Sequence, residues 1–275
     1  MPDGEERPPV VVMAHGFAAQ RDFGLQAFAE RFAGSGMAAF VFDYRNFGAS
    51  DGEPRNLVSP GRHLADWRAA VAHVRGLGQV DASRLALWGS SYSGGHVLAT
   101  AARTRGISAV VSQVPFVDGP ATAAMFSPAF ALQAVLKGVK DLARAASGRP
   151  PYYVPVVGEP GTFAMMNTPE SMPGYTALVP EGSEWRNGCP ARAALSLVLY
   201  RPGSRAGRIS CPVLLVCAER DSLLPPTAVK KVSGRLREGR LVSLPVGHFD
   251  VYSGPAFEFV VDEEADFLRE ALLPG

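Results

Sequence analysis

The sequence predicts an α/β fold: a doubly wound, mostly parallel sheet of about six strands, interrupted once by a long insertion. Short apolar runs recur along the chain, amphipathic stretches of helical period lie between them, and residues 117–207 lose that rhythm. Runs that are apolar on both faces suit strands buried between helix layers. Strand alternating with helix implies a parallel sheet.

The first strand candidate, residues 10–14, is apolar and β-branched and ends in His15-Gly16. Residues 23–33 follow with apolar side chains at helical spacing and stop at the breaker Gly34-Ser35-Gly36. Residues 38–42 form the second run, ending at Asp43. Leu64, Trp67, Val71 and Val74 then recur on one helical face. Residues 85–88 run into Gly89, residues 107–111 form a fourth run, and residues 213–217 a fifth that ends before Asp221. Residues 241–244 are a weaker sixth, and residues 227–236 and 257–272 are further amphipathic stretches.

Residues 117–207 open with a helical stretch at 129–146 and then become rich in proline and glycine. Their apolar residues include Met125, Phe126, Phe130, Phe163, Met165, Met166, Met172 and Trp185. An insertion this long in a compact domain usually serves as a lid over a site, the alternative being a cap that only covers the sheet edge. No repeat or low-complexity tract appears, so residues 1–275 read as one domain with this insertion inside it.

The 275 residues are 47% apolar, enough for a sizeable core, and 27 Lys and Arg face 26 Asp and Glu. That balance provides no basic excess to draw nucleic acid or an anionic membrane. Cys189, Cys211 and Cys217 lack metal or disulfide spacing and read as reduced thiols. Residues 1–9 are charged and proline-rich without the layout of a signal peptide, and no stretch is long enough to span a bilayer. A soluble cytoplasmic protein is the expectation.

The strongest chemical signal is the segment Leu85-Ala86-Leu87-Trp88-Gly89-Ser90-Ser91-Tyr92-Ser93-Gly94-Gly95. An apolar strand enters a Gly-x-Ser-x-small turn that opens a helix, the context of a nucleophile elbow. The residues two before and two after the nucleophile must be small, and Gly89 and Ser93 meet that need around Ser91. Ser93 as nucleophile would set the turn two residues too far from the strand, and Ser90 would need a small residue where Trp88 stands. A glycine-rich turn without chemistry is the plain alternative.

A serine hydroxyl is a weak nucleophile until a base takes its proton. His248, in Gly247-His248-Phe249-Asp250 after the last strand run, is the candidate base. His15, His63, His73 and His96 read as packed or surface side chains. The base needs a carboxylate to fix its tautomer. Asp221 follows the fifth run directly, where such sheets carry their functional loops. Asp118, after the fourth run, is the rival, and Asp250 reads as a local loop or substrate-side residue. The oxyanion of the transition state needs donors, which this architecture takes from the backbone N–H groups of Tyr92 and Phe17.

His15-Gly16-Phe17, Asp43-Tyr44-Arg45-Asn46-Phe47-Gly48-Ala49-Ser50, the Ser91 elbow, the Asp221 segment and Gly247-His248-Phe249 occur in that order. Together they resemble the α/β-hydrolase superfamily over almost the whole chain. The match is similar to a bacterial branch and, more loosely, to acyl-transferring hydrolases of polyketide pathways. The resemblance implies the fold, the triad Ser91, Asp221 and His248, and the donors Phe17 and Tyr92. Two departures stand out: Ser93 replaces the commoner glycine, and the antiparallel strand pair that usually precedes the first parallel strand is expected to be either absent or lost through a late start site. A reduced sheet with residues 38–42 near an exposed edge follows, and such an edge is where a second copy would pair to make a homodimer.

The expected function is cleavage of an ester, thioester or lactone of a mainly apolar acyl substrate through an acyl-Ser91 intermediate. Acyl transfer to another nucleophile, elimination or peracid formation by the same triad, and a non-catalytic binding protein remain the alternatives. Met125, Phe126, Phe130 and Phe249 are the candidate substrate-binding residues. No phosphate-binding loop and no cluster with metal spacing is present in the sequence, so the expectation is chemistry without cofactor or metal.

Overall fold

A computed structural model describes residues 7–273 of the chain. The reading of residues 1–9 as lacking a leader, and of a missing strand pair before the first parallel strand, falls largely outside the described residues. Eight strands and nine helices are described, in the order β1 (Pro9–Ala14), α1 (Leu25–Gly34), β2 (Ala38–Phe42), α2 (Pro60–Arg75), β3 (Asp81–Ser90), α3 (Tyr92–Ala101), β4 (Ala109–Gln113), α4 (Gly119–Ala123), α5 (Pro128–Ala146), β5 (Tyr153–Val154), α6 (Ser171–Thr176), β6 (Cys189–Pro190), α7 (Ala193–Leu199), β7 (Val213–Ala218), α8 (Pro226–Ser233), β8 (Gly239–Leu244) and α9 (Gly254–Leu272). Six of the strands form one parallel sheet in the order β2-β1-β3-β4-β7-β8. The doubly wound sheet expected from the sequence is present, and β2 lies at one edge.

Alternation along each strand sends neighbours to opposite faces. Val10, Val12, Leu85 and Leu87 join Trp67, Val71, Val97 and Leu98 of α2 and α3 in one core. Val11, Met13, Ala86 and Trp88 meet Phe28 and Phe32 of α1 and Val261 and Leu268 of α9 in the other. β1, β4 and β7 are buried at every residue, whereas the edge strands β2 and β8 are mostly half-buried or exposed. This explains why the central strands read as unbroken apolar runs and β8 as a weak one.

The chain leaves the sheet after β4 and returns at β7, which pairs directly with β4. Between them lie four helices, the 3₁₀ turn Pro202–Arg208 and the antiparallel pair β5 and β6, of which the sequence reading anticipated only α5, as the helical stretch at 129–146. With two residues per strand, such a pair leaves no periodic signature. Pro128 at the first turn and Ser127, whose hydroxyl accepts from the Phe130 N–H at 3.2 Å, start α5. α5 packs on α7 through Gly138, where a Cβ would come within 2.7 Å of Leu195. Buried Asp141 then binds Arg192, at 2.6 Å to Nε and 3.0 Å to its backbone N–H, and accepts the Tyr152 N–H at 2.7 Å. No helix among the described residues is long and apolar enough to cross a membrane.

Candidate active site

The carboxyl ends of β3, β7 and β8 lie at the same end of the parallel sheet, and each is followed within a few residues by one polar side chain of the site. Ser91 follows β3 with φ 56° and ψ −118°, the forced backbone of a tight strand-to-helix turn. Gly89 is required there because a Cβ would fall 2.5 Å from the Ser93 carbonyl oxygen. Ser93 is accommodated by its hydroxyl, which lies 2.8 Å from the buried Tyr44 hydroxyl, itself accepting Trp67 Nε1–H at 2.8 Å. The departure from glycine at position 93 thus carries a hydrogen bond of its own.

Asp221 stands three residues beyond β7, and its Oδ1 accepts the backbone N–H groups of Leu223 and Leu224, both at 2.8 Å. Its Oδ2 accepts from His248 Nδ1 at 2.6 Å. That bond assigns the neutral tautomer and leaves Nε2 to accept the Ser91 hydroxyl at 3.0 Å. Burial disfavours a charged His248, but the charge and hydrogen bond of Asp221 and the charge of Glu170 outweigh it, and the ring's pKa is raised.

The rival acid is elsewhere. Asp118 caps α4 by accepting the Ala121 N–H at 3.0 Å, and pairs with Arg201 at 3.0 Å. Asp250 accepts the Gly247 N–H at 2.8 Å, a local loop contact. The other histidines divide as the sequence suggested. His73 is exposed, and His15, His63 and His96 are buried. His63 stacks on Tyr44 and meets His96 at 3.2 Å, while His96 reaches the Tyr200 hydroxyl at 2.7 Å. Burial lowers the pKa of all three, that of His96 to about 3, so they stay neutral near pH 7.

The turn at His15-Gly16-Phe17 passes beside the serine: a Cβ on Gly16 would lie 3.2 Å from Ser91 Cβ and 3.6 Å from its Oγ. Tyr92 is the first residue of α3, so its N–H has no intrahelical acceptor. Phe17 and Tyr92 also pack ring to ring at 5.7 Å.

One residue of this constellation was missed from the sequence. Glu170, in the insertion, accepts the Ser222 N–H at 2.9 Å and the Ser222 hydroxyl with Oε1, and the His248 N–H at 2.8 Å with Oε2. It ties the loop of the acid to the loop of the base. Gly247 is constrained for the same reason, since a Cβ there would collide with Glu170 Oε2. No local spacing relates residue 170 to residues 222 and 248, so only its standing as the one acid between Glu159 and Glu181 could have drawn notice.

Ser91 and His248 open on a cavity of about 480 Å³. The other lining residues are apolar or glycine, except for Thr122 and Tyr92, whose hydroxyl is buried. Phe126, Phe130 and Phe163 stack in series at 4.7 and 5.1 Å along it, with Met165 and Met166 nearby. Two of the four residues assigned to substrate from the sequence, Phe126 and Phe130, are on this wall. Met125 and Phe249 are not: Met125 is 43% exposed, and Phe249 packs behind the site against Tyr175, Tyr252 and Gly174. Composition identifies an apolar segment, but not which of its side chains turn toward the cavity. Among the described residues no group of three or more His, Cys, Asp or Glu is arranged to hold a metal ion, and the three cysteines are free and buried.

Comparison with known proteins agrees with this fold. The chain is 40% identical over 268 residues to the quorum-quenching protein AidA of Acinetobacter baumannii, covering 98% of this chain and 88% of that protein. It is 25% identical over 281 residues to the thiohydrolase aneE of Aspergillus aculeatus, covering 98% and 87% respectively. The solved structure of DcsB in complex with its substrate analogue superposes with a TM-score of 0.86 at 26% identity, covering 98% of this chain and 92% of that one. Residues 5–245 match the family described as serine aminopeptidase, S33. With most of its length matched and its parallel sheet in place, the chain belongs to this family of α/β hydrolases.

Proposed function

We propose that this chain is a serine hydrolase that cleaves an ester, thioester or lactone of a mainly apolar acyl substrate through an acyl-Ser91 intermediate. The observation that carries this reading is the contact series Ser91 Oγ–His248 Nε2 at 3.0 Å and His248 Nδ1–Asp221 Oδ2 at 2.6 Å, opening on an apolar cavity. Ser91 Oγ attacks the acyl carbon as Nε2 takes its proton, and the carbonyl electron pair moves onto oxygen. The N–H groups of Phe17 and Tyr92 stabilise that oxyanion. Collapse breaks the bond to the leaving group, which receives the proton from Nε2. Water then gives a proton to Nε2 and attacks the acyl-serine, releasing the acid and restoring Ser91. Asp221 holds the ring and stabilises its charged form.

An alcohol, thiol or amine in place of water gives acyl transfer by the same steps. Residues 117–207 act as the lid, since they supply Phe126, Phe130, Phe163, Met165 and Met166 to the cavity. The quorum-quenching name of the Acinetobacter relative and the thiohydrolase name of the Aspergillus relative both support a hydrolytic reading, the second favouring a thioester.

The test is intact-mass analysis after treatment with a fluorophosphonate, on wild type and on Ser91→Ala. One adduct on wild type and none on the variant is the expected result. A folded wild type that takes no adduct removes the acyl-serine reading and leaves a binding protein.

A further inference from the structure

The chain as a whole has almost no net charge, so a local excess of one sign reflects placement. A second cavity of about 340 Å³ lies between the start of α2, the end of α3 and the segment that joins α7 to the turn at Pro202. Its wall carries Arg103, Arg201 and Arg205 and no Asp or Glu. Arg201 is partly neutralised by Asp118. Among the described residues neither Arg103 nor Arg205 forms an ion pair. Three guanidinium groups around one cleft repel each other unless an anion enters.

The cleft is also next to the candidate active site. Leu199 lines both cavities and is 83% exposed. Tyr200 behind it is fixed by His96 and packs on Phe116, a wall of the apolar cavity. A substrate with its acyl chain in the apolar cavity and its carbonyl at Ser91 therefore has a route for its other end over Leu199 to the arginines. A neutral alcohol or a lactone gains nothing there. A long, mainly uncharged arm that ends in a phosphate fits both that route and the cleft.

We propose that the arginine cleft binds the phosphate of a phosphopantetheine arm, so that the substrate is an acyl thioester carried on that arm. Guanidinium groups suit phosphate because their planar N–H pairs bond its oxygens in parallel. The arm has two sources, coenzyme A and a carrier protein, and the cleft recognises their shared phosphate. This inference rests on the hydrolase reading of Ser91 and selects the thioester among its substrates.

The experiment compares octanoyl-coenzyme A with octanoyl-N-acetylcysteamine, which has the same acyl group and thioester but no phosphate, on wild type and on Arg103→Ala/Arg205→Ala. Wild type is expected to show a KM at least about tenfold lower for the coenzyme A ester, the size of one charge-assisted hydrogen bond. The double variant should lose that advantage, with kcat and the KM for the cysteamine ester unchanged. An octanoylated carrier protein, assayed alongside, distinguishes the sources: if it alone shows the arginine-dependent KM, the arm is carrier-borne. Equal KM values for all three substrates in wild type, or a double variant that shifts them all alike, overturn the proposal. Cleavage of p-nitrophenyl octanoate in that case leaves the hydrolase reading standing. If no ester is cleaved at all, calorimetric titration with free coenzyme A against pantetheine decides the cleft by itself: binding of coenzyme A that the double variant loses upholds the phosphate site, and no binding overturns it.

Discussion

The two parts of this molecule, the sheet with its helices and the insertion between β4 and β7, contribute different things to one cavity. The sheet supplies the polar series. Ser91, Asp221 and His248 each stand just beyond a strand end, on backbone held by ladder hydrogen bonds and two apolar cores. The insertion supplies most of the apolar wall from short helices and loops, and contributes none of those three side chains. Placement to within a few tenths of an ångström needs rigid support, which strands provide, whereas an apolar wall tolerates many arrangements of similar volume. The division has one exception. Glu170 belongs to the insertion, yet its carboxylate binds the loops of both Asp221 and His248.

The largest effect should come from the sheet side. Ser91→Ala and His248→Ala should each lower kcat on the order of 10⁶-fold, and the double variant little further, because the groups act as a unit. Circular dichroism should show the fold intact. Additive losses would mean that the two residues do not serve one step. Asp221→Asn should cost about 10⁴-fold, while Asp118→Asn, which disturbs only the cap of α4 and Arg201, should leave kcat close to wild type. If Asp118→Asn is the damaging change, the acid has been assigned to the wrong strand end.

Glu170→Gln tests the exception. Glutamine keeps one acceptor oxygen but turns an NH₂ toward one of the two N–H groups, so one charge-assisted bond, worth about 1.5–3 kcal/mol, is lost. The expected fall in kcat/KM is about tenfold to a hundredfold. Asp221 and Glu170 are the two carboxylates whose charge raises the His248 pKa, with Asp250 held nearby on the Gly247 N–H. Activity requires neutral His248, so the acidic limb of the pH profile should move to lower pH in the variant. A loss of rate with the limb unmoved would make Glu170 a purely structural support, and an unchanged rate would make the insertion dispensable to the polar series.

What could be read from sequence follows the same division. Residues 10–14 and 213–217 are apolar on both faces, a pattern only a central strand needs, and they became β1 and β7 with ends shifted by one residue. Residues 85–88 were legible as a strand, but Asp81 to Arg84 were not, because their polar side chains lie where the strand has left the core. Ser91, Asp221 and His248 stood out as candidates because each follows a strand run closely, and around Ser91 the tight turn also demands small residues. Glu170 follows no such rule: it acts across 52 and 78 positions through hydrogen bonds that leave no period. Met125 and Phe126 are neighbours of similar character, and only the turn after α4 decides that Phe126 faces the cavity.

The smallest effect probes the sheet core alone. Trp88 Nε1–H donates to Glu264 Oε2 at 2.7 Å inside the core between β3 and α9, where Glu264 is fully buried. Burial pushes its pKa up to about 8, against a lowering by the Trp88 bond. Unfolded, the carboxyl ionises near the ordinary value of about 4.5; folded, it stays protonated until about 8. Between those values the unfolded state binds fewer protons, so stability falls as pH rises. Glu264→Gln keeps an acceptor for Trp88 and removes the proton linkage. Its Tm should exceed that of wild type at pH 8, and the gap should close toward pH 4.5. The change should leave kcat untouched, because among the described residues no hydrogen bond connects Glu264 with Ser91 or His248. A Tm gain that is the same at both pH values would mean that Glu264 is already ionised in the fold, held by more than its bond to Trp88.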